Sequence, residues 1–204
     1  MKLTIAQLDY IDRFLEQHQL DFLDFKIEVK DHLATATETI MEENEISFEN
    51  AFVQVSENWE SALKVEKYWL ISNERQFPKM VIENIKTKVF VHYTAVIVVV
   101  FALIYFYYEY RFEHWNIFKY AVGLCGVVYF ILKRIVRQHK IKTSYRFHFE
   151  YFYMPVLMVF AYFFVFNISF TYANFVGFIV LADFPFAVYN FYKHQQFIKK
   201  INLA

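Results

Sequence analysis

The chain has 204 residues, 57% of them apolar, with 21 basic and 21 acidic side chains. The balance is a sum of opposites: residues 1–88 carry 17 acidic and 10 basic side chains, whereas residues 89–204 carry 4 and 11. That division excludes one uniform soluble domain and points to two parts in different environments. The single cysteine, Cys125, excludes an intramolecular disulfide framework, and only 3 glycines and 3 prolines, without ten-residue alternating segments, speak against a β-barrel.

The first residues interrupt their apolar positions with Asp9, Asp12, Arg13 and Glu16, unlike a signal peptide, so the N-terminus is expected to be retained. Thr4 followed by Gln7 forms a capping box, and Ile5, Leu8, Ile11 and Leu15 recur at helical spacing. A second helix is expected from about Asp21 to Glu43, with Phe22, Phe25, Val29, Leu33, Ala36 and Ile40 as its apolar stripe. Ser47 is placed to cap a third helix that lines up Phe48, Phe52, Val55 and Trp59. A further stretch, Ser61 to Ser72, reads as one more short helix around Leu63, Tyr68, Trp69 and Leu70. Such stripes must be buried against one another, which gives a small acidic helical bundle over residues 1–77.

The segment Glu28-Val29-Lys30-Asp31-His32-Leu33, followed by Ser47-Phe48-Glu49-Asn50-Ala51-Phe52, resembles the HAAS-type helical domain and the related permease prefix domain. The resemblance covers about residues 5–70, and at the turn before the third helix this chain has Glu45-Ile46 where those domains usually have Gly. Such domains precede membrane helices in bacterial proteins, often encoded beside a PadR-type transcription regulator. The resemblance implies a bacterial inner-membrane protein with a signalling or assembly role and a protein partner for residues 1–77. His32 reads as a packing residue, and the run Glu42-Glu43-Asn44-Glu45 as a solvated helix end, lacking the alternation and Gly of a calcium loop.

Pro78 fits the first turn of a new helix that enters the apolar run Val89–Tyr108, whose 20 residues match the hydrocarbon core of a bilayer. Further spans are expected at 117–136, 151–168 and 172–192, the last two split at the Asn167, Ser169, Thr171 and Asn174 cluster. The expected architecture is therefore all-α, with a cytoplasmic bundle followed by a membrane domain, residues 78–204, of about four transmembrane helices. Lys133, Arg134, Arg137, Lys140, Lys142 and Arg146 concentrate positive charge in the middle connection, and Lys193, Lys199 and Lys200 do so in the tail. The positive-inside rule then puts both termini in the cytoplasm. The connection is a candidate surface for anionic lipid headgroups, or for docking the acidic bundle, rather than for nucleic acid.

Asp183, two residues before Pro185, is the candidate intramembrane polar site. A carboxyl at that depth needs a partner, water or a proton, and Pro185 removes one backbone hydrogen bond beside it. Ala121/Cys125 and Ala173/Gly177 are small-residue pairs suited to close helix packing or to homo-oligomerisation. Phosphate-binding, nucleophile-elbow, zinc-protease and dinucleotide motifs are absent, and the His148/Glu150 and Glu113/His114 pairings lack a metal's ligand count. The expectation is a non-enzyme without cofactor or metal, its partners the lipid bilayer and a protein, with a small transporter using Asp183 as the alternative.

Overall fold

The computed structural model describes residues 2–68, 72–109, 115–152 and 170–203. The described chain is mostly helical and divides into two compact units, Met1–Lys86 with Lys142–Ser144, and Thr87–Ile141 with Tyr145–Ala204.

In the first unit, α1 spans Ile5–Gln17, α2 Leu23–Asn44 and α3 Phe48–Leu63. The capping box at α1 forms as expected: the Thr4 backbone N–H donates to Gln7 Oε1 at 2.8 Å, and the Gln7 N–H donates to Thr4 Oγ1 at 3.4 Å. Ile11 and Leu15 are fully buried, but Ile5 is left outside the core. On α2 the buried stripe is Phe25, Val29, Leu33, Thr37 and Met41, so a strict four-residue step replaces the expected drift to Ala36 and Ile40. Thr37 can enter that stripe because its hydroxyl donates to the Leu33 carbonyl at 2.7 Å, which satisfies the polar group inside the core. Lys26 reaches across to Glu16 at 2.8 Å, and Lys30 pairs with Asp12, tying α2 to α1. α2 ends at Glu45, which adopts left-handed backbone with φ 52° and ψ 38°. Ser47 has the backbone conformation of an N-cap, but its hydroxyl makes no capping hydrogen bond to α3. His32 lies against Trp59 with ring centroids 6.3 Å apart, a packing contact between α2 and α3.

The stretch after α3 is not a helix. β1, Val65–Tyr68, pairs antiparallel with β2, Ser72–Pro78, in the register Val65↔Pro78, Glu66↔Phe77, Lys67↔Gln76. β2 puts Phe77 into the core, stacked on Phe22 at 5.9 Å and 5°. Strand pairing thus replaces the expected helix over 65–68, while Ser61–Leu63 form the last turn of α3. Pro78 closes β2, and α4, Lys79–Glu109, starts immediately after it, with the Lys79 N–H donating to the Lys64 carbonyl at 2.9 Å. Val81, Ile82 and Ile85 from its first turns complete the core of this unit.

Residues 142–144 belong to the same unit through specific bonds. The Lys142 carbonyl accepts from the Leu23 N–H at 2.9 Å, and Lys142 Nζ pairs with Asp21 at 2.8 Å. The Asp24 carboxylate accepts from the Ser144 N–H at 2.9 and 3.1 Å and from the Ser144 hydroxyl.

In the second unit, α4 continues through its apolar residues, α5 spans Trp115–Gln138, α6 Ser144–Phe152 and α7 Phe170–Leu203. A helix thus begins inside what the sequence reads as a plain basic connection. Two cores hold these helices. Val96 and Val100 of α4 pack with Phe178 and Ala182 of α7. Tyr129 and Val136 of α5 pack with Phe149 of α6 and Ala187 of α7. The Tyr129 hydroxyl donates to the Phe149 carbonyl at 3.3 Å, which satisfies a polar group in the second core.

Only one side of α4 is used this way. Its buried residues His92, Val96 and Val100 recur every four positions, whereas Phe90, Val98, Phe101 and Tyr105 are exposed. Over Lys79–Phe106 the most apolar 18-residue window has a mean hydropathy of 2.4 and only 11% of it is buried. Among the described residues this is the one helix long and apolar enough to cross a membrane; the four expected spans are not all recovered. In α5, Lys133, Arg134 and Arg137 occupy the second half, and in α7 Asp183 and Asn190 interrupt the apolar sequence. The expected span 151–168 lies, after its first two residues, outside the described residues, as do Asn167 and Ser169 of the expected break, whereas Thr171 and Asn174 are already within α7.

Candidate functional site: a buried histidine–aspartate pair and the cavity beside it

Asp183 lies on α7, 4% exposed, and its carboxylate meets the Nε2 of His92 on α4 at 2.5 Å. His92 is itself buried, with Phe186 edge-on at 4.5 Å and Tyr93 at 5.3 Å. The Val96/Val100/Phe178/Ala182 core adjoins the pair on both helices, so apolar packing holds the two side chains in register. An Asp paired with His in such surroundings is what an apolar environment demands, because either group alone forfeits its solvation without compensation.

The pair fixes a level. His92 is three residues into the apolar run that starts at Val89, about 4.5 Å along the helix at 1.5 Å per residue. Asp183 shares that level, near the end of the apolar run of α4 that Lys86 and Lys88 precede. Pro185 lies inside α7, which continues through it. The missing N–H of Pro185 releases the Leu181 carbonyl, two residues before Asp183 in the same helix.

Sequence reasoning found Asp183 and missed His92. The signal was present: His92 is the one Asp, Glu, Lys, Arg or His in residues 89–108, as Asp183 is in 151–192. Two lone ionisable residues of complementary chemistry in two apolar segments are candidates for one another.

Beside the pair is a cavity of 280 Å³. Its polar lining comes from Thr87, Lys88 and His92 of α4, Tyr145 and His148 of α6, and Asn190 of α7. Val89, Val91, Phe186 and Tyr189 supply apolar wall. Lys88 Nζ lies 5.0 Å from the Tyr145 ring centroid, within cation–π range. His148 is 6% exposed; burial, with Lys88 and His92 nearby, pushes its imidazole down to about 4. His194, beyond the apolar part of α7, is pushed down to about 4 by burial, with Arg146 and His139 adding to the effect. Both rings are neutral at neutral pH.

The basic candidates separate. Lys142 is engaged with Asp21. Arg146 folds the end of the connection onto itself, donating to the carbonyls of His139 and Ile141 and bonding Glu150 at 3.1 Å. Lys133 lies over the Tyr129 ring at 6.0 Å. Arg134, Arg137 and Lys140 are exposed. Among the described residues no group of three or more His, Cys, Asp or Glu is arranged to hold a metal ion.

No family model matches the chain, no curated protein matches it, and no solved structure matches it.

Proposed function

We propose that the protein is a multi-pass component of a bacterial inner membrane, with a regulatory or assembly role exerted through its N-terminal helical unit on a protein partner. The observation that carries the reading is the exposed apolar surface of α4 and α5. Phe90, Val98 and Phe101 on one helix, and Tyr120, Leu124 and Phe130 on the other, are each more than 60% exposed. Water does not tolerate a continuous surface of that kind, whereas hydrocarbon does. About four spans, with the Lys/Arg-rich connection and tail on the cytoplasmic side, accommodate these segments. The acidic unit has its own core and no catalytic constellation among its described residues, which suits a binding module, as does its resemblance to HAAS-type domains. Partner capture from membranes in mild detergent tests this. The full chain should retain a specific protein that is lost when Ile27→Glu and Val53→Glu, both on exposed helix positions, are introduced together. An identical set of proteins on wild type and variant contradicts the reading.

The His92–Asp183 pair favours a second reading, a small transporter or transport-complex subunit in which Asp183 handles a proton or ion. In proteoliposomes Asp183→Asn should then abolish flux while expression survives; unchanged flux rejects it.

A further inference from the structure

The start of α2 has no side-chain cap of its own, because Phe22 stands at the N-cap position and its ring has no acceptor to offer. The start of α6 lies in a buried stretch, Thr143 and Ser144. Each helix is capped by the other. The Leu23 N–H, the first of α2, donates to the Lys142 carbonyl at 2.9 Å. The Ser144 N–H, the first of α6, donates to the Asp24 carboxylate at 2.9 and 3.1 Å, and the Ser144 hydroxyl donates to the same group. Two orphan helix donors are thus met reciprocally, as in a capping box, but between segments 120 positions apart. The Asp24 charge also faces the positive end of the α6 dipole. Lys142–Ser144 pack with the first unit, whereas Ile141 and Tyr145 on either side belong to the second. α6 has 9 residues, below the roughly 12–15 at which an isolated helix sustains itself in water. Its order rests on Phe149, fully buried against Tyr129, Val136 and Ala187, and on the Asp24 cap at its start.

We propose that this reciprocal cap is a regulatory clasp: the start of α2 in the N-terminal unit controls whether the first turns of α6 are formed, and with them the cavity wall that Tyr145 and His148 supply. The position of the clasp suits that role. Ile27, the exposed α2 residue assigned above to the partner surface, comes three residues after Asp24 and is therefore its neighbour on the helix surface. A protein bound there bears on the carboxylate that caps α6. Loss of the cap frees two helix starts at once, because neither has a local side-chain cap in reserve at α2 and the α6 donors face Asp24. The inference rests on the partner-binding reading only for what works the clasp; the clasp itself is tested without a partner.

The test is hydrogen–deuterium exchange of the full chain in detergent, joined to diethyl pyrocarbonate labelling of histidines, both read by mass spectrometry. Asp24→Ala should speed exchange over residues 144–150 and 22–28 about tenfold, and raise labelling of the buried His148 by a similar factor. Asp24→Asn, whose amide oxygen still accepts from the Ser144 N–H, should keep most of the protection. Lys142→Ala, which keeps the carbonyl bonded to Leu23, should leave both segments as in wild type. Exchange in α3 and labelling of His32 should not move, which separates uncapping from a general loss of stability. Faster exchange over 22–28 with 144–150 and His148 unmoved overturns the proposal, and so does an equal rise through α3. Should Asp24→Ala fail to fold, wild type decides by exchange in graded urea: one shared opening energy for the two segments supports the clasp, and two separate ones reject it. A failed partner capture with these results intact removes the partner-binding reading and leaves the clasp standing.

Discussion

A histidine or an aspartate placed singly on the apolar faces of α4 and α7 would be costly, and each removes the other's cost. Truncating one partner leaves a buried polar group unmet, worth about 1–3 kcal/mol. We therefore expect Asp183→Leu and His92→Leu each to destabilise the protein by about that amount, and the double variant to lose less than their sum. Unfolding in detergent, monitored by circular dichroism, measures all three. The two neutral imidazoles give a second expectation at this scale. His148 and His194 have folded values of about 4 against an ordinary value of 6.5, so on acidification the unfolded chain takes up these protons first. Their contribution to stability is full above pH 6.5 and is lost as pH falls through the window towards 4. His148→Gln and His194→Gln should flatten that dependence in melting temperatures recorded from pH 7.5 to 4.5; an unchanged slope would contradict the burial argument.

At the scale of elements, short-range chemistry was legible in the sequence wherever a single period or cap decided the outcome. The Thr4/Gln7 box and the Ile11, Leu15 and Phe52 core positions follow from such rules. The hairpin at 65–78 was not read, because Leu63, Tyr68, Trp69 and Leu70 imitate a helical cluster while the pairing partner, Ser72–Pro78, lies further on. Tertiary bonds to the connection were equally hidden. Nothing local tells Asp24 that Ser144 will be its donor, 120 positions away. Of the electrostatic expectation for this segment, Lys142 meets an acidic partner and Lys140 is exposed, so charge alone did not choose between them. Asp24→Ala should accordingly cost about 1–2 kcal/mol and raise proteolysis near residues 20–24 and 142–144, whereas Lys142→Ala, losing one exposed ion pair, should cost under about 1 kcal/mol. Glu45 shows the reverse case, a residue that strains its element. Its φ of 52° suits glycine, so Glu45→Gly should stabilise the first unit by about 0.5–1 kcal/mol, the relief of left-handed strain less the entropy glycine loses.

At the scale of the whole molecule, the division of charge at about residue 88 coincides with a division of surface. The first unit wraps its stripes inward and shows charged side chains, and the described part of the second shows bare aromatic and branched residues. The pairing of His92 with Asp183 is only hinted at in the sequence, since the two are 91 positions apart and the hint is that each is the lone ionisable residue of its own apolar segment. The central claim is that α4 and its neighbours lie in a bilayer with the N-terminal unit, the connection and the tail on one side. The direct test is cysteine accessibility: Cys125 replaced by Ala, single cysteines placed at positions 57, 111, 140 and 202, and a membrane-impermeant maleimide applied to intact and then to lysed cells. The account predicts that position 111 alone reacts in intact cells and that 57, 140 and 202 react only after lysis. Reaction of 57 or 140 in intact cells, or of none of the four until lysis with the protein released from membranes by carbonate, would contradict it.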